Sequence, residues 1–490
     1  MAKRIILFLL LSFLYYYISI KYPIFFPLIT VTTLLSFFIL FTKWDMGIIA
    51  TAIIFIALIL PYNYHLVKVY SEHYGGAWPH PVFSPLHFAL IISFLISFLF
   101  KFNKLNNYLY VKLGTNFFVF LFFSIYAMAT SIVTSTYPVA SFYEFLRMLI
   151  GLLLYVQVSF FIRSQKELSL ITRIIGIFIL VEGIIAVLQF YKILPLDLIK
   201  GESAKPLLPG FITQIFRRST GTLKEANAFG KFLSIFTPPF VIYSLISKGW
   251  RRIFSTLIFV SAATAIFLTL SRSSVVGFIL SLIIVFIILF HRKPPGLISL
   301  RNFLFITLSV FVSFVTVFLI TGNILYLRFI RFGLLTLQGR FAQYINALYI
   351  IKNHILLGIG LNNYYPVMIT NDYTGIAAAT PQYVVHNIFL LYCAETGILG
   401  LILFLLFFWY SFKENYQDLK KLNKILPSNL SEENIALIYG GLASIISIFL
   451  QGTFDWGFRT DNMFHFLFFL GLLNANRNIL FNQEVDNKQF

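Results

Sequence analysis

The sequence predicts an all-α, polytopic integral membrane protein with about 12–14 transmembrane helices. Three observations carry that reading. The 490 residues are 59% hydrophobic and only 11% charged, with a mean hydropathy of +0.85, outside the range of soluble globular domains. Apolar runs close to 20 residues, each long enough to cross a hydrocarbon core, recur from end to end. The alternating strands of about ten residues that a transmembrane barrel needs are absent.

Taken in order, the runs fall at 4–20, 24–42, 47–60, 86–100, 117–136, 142–162, 169–194, 226–246, 253–271, 275–290, 303–321, 386–409, 435–452 and 461–476. The third, fourth and tenth are short for a full crossing, which suits tilted, re-entrant or interfacial segments. The first follows MAKR and lacks a small-residue cleavage site, so it reads as an uncleaved span. The whole chain, 1–490, reads as one integral domain. It has one long outer loop at 322–385, expected to carry short surface helices, and a polar linker at 411–434.

Clusters of Lys and Arg fall on alternate connections: Lys3 and Arg4, Lys43, Lys101 to Lys112, Arg163 and Lys166, Lys248 to Arg252, Arg292 to Arg301, and Lys413 to Lys424. The positive-inside rule puts them, and both termini, in the cytoplasm. The opposite face receives the connections near 61–85, 195–225, 271–274, 322–385 and 452–460. The net charge of +19 is partly this bias. Basic residues scattered between spans, rather than gathered on a soluble face, argue against nucleic-acid binding. The single cysteine, Cys393, excludes an intrachain disulfide.

The outer connections nevertheless hold Arg217, Arg218, Lys224, Arg272, Arg328, Arg331, Arg340 and His386. Cations on the wrong side for topology suggest a bound anion. In RRSTGTLKEANAFG, Arg217 and Arg218 offer planar donor forks that match phosphate oxygens, and Asn227 suits the start of a helix. Lipid headgroups are the plainer ligand for such arginines. Arg272, in SRSS between two apolar runs, either meets an anion or snorkels to the headgroups. Arg340 is expected to open a helix along the outer surface, as a site residue or as a solvated anchor.

His386 precedes NIFLLY at the outer end of a span. An imidazole there suits general-base work at neutral pH, or an interfacial hydrogen bond. Asn387 is a candidate to fix the ring, and Asp455, Arg459 and Asp461 in the last outer loop are candidates to orient a base or an acceptor. Glu144 and Arg147, at i and i+3, are placed to pair. Glu182 and Glu395 are further intramembrane charges, either functional or paired between helices. Neither a nucleotide-binding glycine loop, nor HExxH, nor an outer acidic pair at D-x-D spacing is present. Metal, nucleotide and other cofactors are therefore not expected.

Over roughly residues 215–405 the chain resembles the O-antigen ligase superfamily of bacterial envelope enzymes, which includes O-antigen polymerases and protein O-oligosaccharyltransferases. The resemblance rests on Arg217–Arg218 before EANAFG, on SRSS, and on Gly339–Arg340 followed by a helix and the Gly358–Gly360 turn. It rests most of all on His386 followed by Gly397 after ten residues, within E-x-G-ILG. The segment after Arg340 reads Phe341-Ala342-Gln343-Tyr344, where the ligase loop is sometimes described as R-x3-L.

The resemblance implies a metal-independent, inverting glycosyltransferase at the periplasmic face of the bacterial inner membrane. Its donor would be a glycan on undecaprenyl diphosphate and its acceptor a sugar hydroxyl, on lipid A–core for a ligase or on a growing glycan for a polymerase. Arg217, Arg218, Arg272 and Arg340 would bind the diphosphate, His386 would be the base, and membrane lipids and the polyprenyl tail would line the apolar spans. A transporter or flippase of lipid-linked sugars is the more distant alternative. It would require related halves and a site near the midplane, and no internal repeat is visible.

Overall fold

The computed structural model describes residues 51–52, 54–55, 64–65, 82–83, 112–194, 218–223, 225–292, 311, 315, 318, 333–372, 374–375, 384–422 and 431–486. The spans expected at 4–20, 24–42 and 86–100, most of 47–60 and 303–321, and Arg217 lie outside the described residues. Those described are overwhelmingly helical: α1 Thr115–Thr134, α2 Pro138–Phe161, α3 Gln165–Phe190, α4 Ala226–Phe236, α5 Pro238–Ile246, α6 Gly249–Leu268, α7 Arg272–Arg292, α8 Gly333–Asn353, α9 Tyr364–Thr370, α10 Ile388–Leu422, α11 Glu432–Gly452 and α12 Asn462–Asp486. A two-residue antiparallel ladder, β1 Tyr64–His65 with β2 Val82–Phe83, sits in the expected outer connection at 61–85. Among the described residues, eight helical segments are long and apolar enough to cross a membrane.

Local chemistry sets several boundaries. Ser164 caps α3, accepting from the Glu167 N–H while the Glu167 carboxylate accepts from the Ser164 N–H at 2.9 Å. Ser431 and Asn434 form the same reciprocal cap on α11. The single span expected at 226–246 bends at Thr237, where Pro238 and Pro239 remove two consecutive N–H donors. This bent helix is buried almost along its whole length, against α6, α7, α11 and α12. The expected 411–434 linker is largely helical: α10 runs to Leu422, burying Ser411, Glu414, Asn415, Asp418 and Leu422 on one face, and α11 begins at Glu432. Arg272 begins α7 rather than sitting in a loop, and Arg340 lies inside α8 rather than at its start.

The largest departure is in α10. Gly397 has φ 70° and ψ −177°, so the helix breaks there. The ring of Tyr392 lies 4.5 Å from that of Phe404, twelve residues on. A continuous helix would separate them by about 18 Å along its axis. The chain therefore turns back at Gly397, and 388–396 lies against the start of 398–422. The run expected to cross the membrane from 386 to 409 is a short helix folded onto a long one.

The break is closed by the Gly358–Ile359–Gly360 strap. Ile359 N–H donates to the Ala394 carbonyl at 3.0 Å, Gly360 N–H to that of Glu395 at 2.9 Å, and Ile398 N–H to that of Ile355 at 2.9 Å. Carbonyls that lost their helical partners are thus satisfied inside the protein, as a membrane interior demands. A Cβ on Gly397 would strike the Leu356 carbonyl, and one on Gly358 the Glu395 backbone.

Hydrogen bonds sort the connections onto two ends. At one end Gln165 Nε2 donates to Ser431 Oγ at 2.5 Å, Ser247 Oγ to Glu432 Oε2 at 2.9 Å, and Arg477 Nε to Asp418 Oδ2 at 2.7 Å. Lys166, Lys248, Arg251, Arg252, Lys420 and Lys421 lie there too, as the charge rule groups them. At the other end Ser219 Oγ donates to the Ala186 carbonyl at 2.7 Å, Ser219 N–H to that of Leu268 at 3.1 Å, and Asn462 Nδ2 to that of Ala228 at 3.0 Å. The candidate residues among those described, Arg218, Arg272, Arg340, His386, Asn387 and Asp455, gather at this second end.

Candidate functional site

Five stretches converge there: 218–225 before α4, the Thr269–Ser271 turn before α7, one face of α8, the 384–387 segment before α10, and the 453–461 connection between α11 and α12. Each is tied to the fold. The 218–223 stretch lies on α3: Gln189 Oε1 accepts from Thr220 N–H at 3.1 Å and Gly221 N–H at 2.9 Å, and Glu182 accepts from Thr222 N–H at 2.9 Å. Glu182, an intramembrane charge in the sequence, thus anchors a loop.

His386 is half-buried and level with the end of α11. Its Nδ1 lies 2.9 Å from Gln343 Oε1, and the same oxygen accepts the His386 backbone N–H at 3.3 Å. Tyr344 Oη donates to the His386 carbonyl at 3.2 Å and approaches that of Thr453 at 3.5 Å. Burial pushes the imidazole below its ordinary range; Asp455 opposes this, and Arg340 and Lys231 add to it. The ring is therefore neutral at physiological pH, the form that can accept a proton.

Beneath it, Lys231 Nζ donates to Asp455 Oδ2 at 2.6 Å. Both side chains are at most 5% exposed, so this pair is removed from water and depends on its own geometry. Asp455 Oδ1 also accepts the Gly457 N–H at 3.1 Å. Burial alone would raise the Asp455 carboxyl, but Lys231, His386 and Arg340 hold it below the usual carboxylate range. Glu225 reaches solvent from the first position before α4, yet the surrounding protein, with Asp455 and Asp461, pushes its carboxyl up against the pull of Lys231 and Arg218.

The sequence-derived candidates divide as follows. Arg218 Nε donates to the Thr269 carbonyl at 2.8 Å and its Nη2 to Asn227 Oδ1 at 2.5 Å, so the arginine joins the end of α6 to the start of α4. Asn227 is thereby a partner of Arg218 rather than a helix cap. Arg272 occupies the first turn of α7, which carries no acidic residue. A cation there opposes the helix dipole. Arg340 lies one turn before Gln343 and Tyr344 and acts electrostatically on both His386 and Asp455. Asn387 does not hold the ring: its Oδ1 caps α10, accepting from Phe389 N–H at 2.9 Å and Leu390 N–H at 3.0 Å. Asp455 bonds to Lys231 and the Gly457 N–H, and reaches His386 through its charge.

Lys231 and Gln343 were not among the sequence candidates. Lys231 interrupts the apolar run ANAFGKFLSIF, and an intramembrane lysine is itself a signal. Gln343 gives no such signal.

A second charged cluster lies deeper. Arg147 Nη1 donates to Glu144 Oε2 at 2.8 Å, the pairing expected at i, i+3, and to the Arg459 carbonyl at 3.1 Å. Arg459 pairs with Glu395 and, at 3.4 Å, with Glu144. Glu395 also accepts the Tyr364 N–H at 3.2 Å, beside the strap. Two cations here balance two anions.

Residues 257–405 match the family model described as O-Antigen ligase. That stretch contains α7, α8, α9, the 384–387 segment and the Gly397 break, and over it the chain is similar to the O-antigen ligase family. The match supports a multi-pass, O-antigen ligase- or polymerase-like membrane glycosyltransferase. No curated protein matches the chain.

Proposed function

Starting from the O-antigen ligase superfamily, we propose that this chain moves a glycan from undecaprenyl diphosphate to a sugar hydroxyl on lipid A–core, at the periplasmic face of the inner membrane. The observation that carries the reading is a neutral imidazole, His386, held at the same end of the bundle as Arg218, Arg272 and Arg340. In the reaction the acceptor oxygen attacks the anomeric carbon while its proton passes to the imidazole. The bond from the anomeric carbon to the phosphate oxygen breaks, and its electron pair leaves on the diphosphate. One displacement inverts the anomeric centre.

Charge grows on the leaving diphosphate, so arginines fixed around it act where they are worth most, in a site shielded from bulk water. Arg272 adds a further argument. An anion bound at the first turn of α7 would gain from both the Arg272 guanidinium and the helix dipole. Neither a metal nor a nucleotide enters the scheme.

The test is deletion of the gene, complementation with wild type or His386→Ala, and analysis of envelope lipids. Loss of ligase gives free core with long undecaprenyl-linked glycan, and His386→Ala should reproduce it, turning over about 10²–10⁴-fold more slowly when purified. Core bearing a single repeat would instead identify a polymerase. Near-normal turnover by His386→Ala at saturating donor would leave the reaction without this base.

A further inference from the structure

We propose that Gln343 is the positioning residue of this site: it keeps a proton on His386 Nδ1, so that Nε2 is the basic nitrogen presented to an acceptor hydroxyl. The inference rests on the reading of His386 as a base. Its geometry stands independently of which glycan is moved.

The argument begins with the amide's orientation. The His386 backbone N–H can only donate, and it points at Gln343 Oε1 over 3.3 Å. The oxygen, not the amide nitrogen, therefore faces the 384–387 segment. That same oxygen lies 2.9 Å from Nδ1. A carbonyl oxygen has no proton to give, so the contact is a hydrogen bond only if Nδ1 carries one. A neutral ring protonated at Nδ1 keeps its lone pair at Nε2.

The surroundings make Gln343 able to enforce this. Its backbone carbonyl accepts from Tyr364 Oη at 3.4 Å, which ties α9 to this point of α8. The next residue, Tyr344, holds the His386 carbonyl. Two consecutive residues of α8 thus grip the N–H, the C=O and the ring nitrogen of His386. The charged groups acting on the ring are Asp455 from the 453–461 connection, Lys231 from α4 and Arg340 from α8, and the backbone at Val384 works with Asp455 against the lowering by burial. Asp455 has its two oxygens engaged by Lys231 Nζ and the Gly457 N–H. The oriented partner at Nδ1 is therefore a neutral amide and not a carboxylate.

A neutral partner fixes the tautomer without raising the basicity of the ring. A carboxylate in its place would favour the imidazolium and move the titration upward. This gives a test that a merely structural role would not pass. The purified full-length protein is treated with diethyl pyrocarbonate, which modifies neutral imidazole, and modification at His386 is followed by peptide mass spectrometry against pH. Gln343→Glu should raise the midpoint by about 1 pH unit or more relative to wild type. Gln343→Leu should leave the melting temperature near that of wild type while cutting kcat roughly 10- to 100-fold, as a part of the general-base contribution, with little change in KM for the lipid-linked donor.

An unchanged midpoint in a folded Gln343→Glu protein overturns the inference, and so does normal kcat in Gln343→Leu. Full activity of His386→Ala alongside a shifted midpoint would refute the base while leaving the Gln343 contact in place, so the two failures are separable. Should Gln343→Glu fail to fold, the kcat and KM of Gln343→Leu decide alone.

Discussion

Glu144, Arg147, Glu395 and Arg459 set two cations against two anions with exposures between 0% and 8%, whereas the groups around His386 mix Lys231, Arg218 and Arg340 with Asp455 and Glu225 and reach solvent through Glu225, Arg218 and Arg340. The first cluster is closed. Its charges pair with one another and hold the Tyr364 N–H and the Arg459 carbonyl, and each member comes from an element that must be held: α2, the end of 388–396 and the turn at 457–459. The second surrounds one neutral, oriented base with charges of both signs and opens to solvent. Buried charge in a membrane protein thus serves two ends, and access to solvent around a neutral base separates them better than burial does.

The comparison breaks most visibly at Arg459. Arg459→Ala leaves Glu395 buried without a cation and Glu144 with Arg147 alone, which should cost about 3–5 kcal/mol. Thermal unfolding in detergent and the yield of monodisperse protein measure it. A variant that stays folded and loses only transfer would move this cluster into the chemistry. Arg272→Ala should do the reverse: insertion and melting remain near wild type, while transfer falls about 10²-fold or more. Arg272→Lys should restore little, because a point charge replaces a planar fork. Unfolding of Arg272→Ala would make that arginine a structural residue of α7.

The smallest effect is a displacement in pH. Because burial lowers the His386 titration, the ring stays neutral to more acid pH than a free imidazole. The acid limb of kcat should then lie below about 6.5. A limb at or above that value would mean the ring is effectively solvated in the working enzyme.

Much of the bundle was legible in the sequence because spans are written as uninterrupted apolar runs. The run expected at 117–136 is α1 at Thr115–Thr134, and that at 435–452 is α11 at Glu432–Gly452. Glu144 with Arg147 was legible for the same reason: the contact lies within one helix turn. The turn-back at Gly397 was not, since hydropathy records apolarity and not direction, and 386–409 is equally apolar either way. Lys231 meets Asp455 across 224 residues and Gln343 meets His386 across 43. No local period encodes such pairs. The spacing from His386 to Gly397, noticed as a motif, acquires its physical meaning only in three dimensions: one marks the start of a short helix and the other the corner where it reverses.

That short helix has one more property. From Gln343 to the strap, α8 rises alongside 388–396, and the two rods run in the same direction. They are cross-tied at the lower end by Gln343 and Tyr344 on His386, and at the upper end by Ile355, Ile359 and Gly360 on Ile398, Ala394 and Glu395. Eleven helical residues on one side, 343–353, and nine on the other, 388–396, give rails of about 16 and 14 Å. Rails of matched length pinned at both ends make a braced frame, which resists shear better than either member alone. The frame carries His386, Gln343 and Arg340 as one piece, which fixes the spacing between the imidazole and its neighbouring guanidinium.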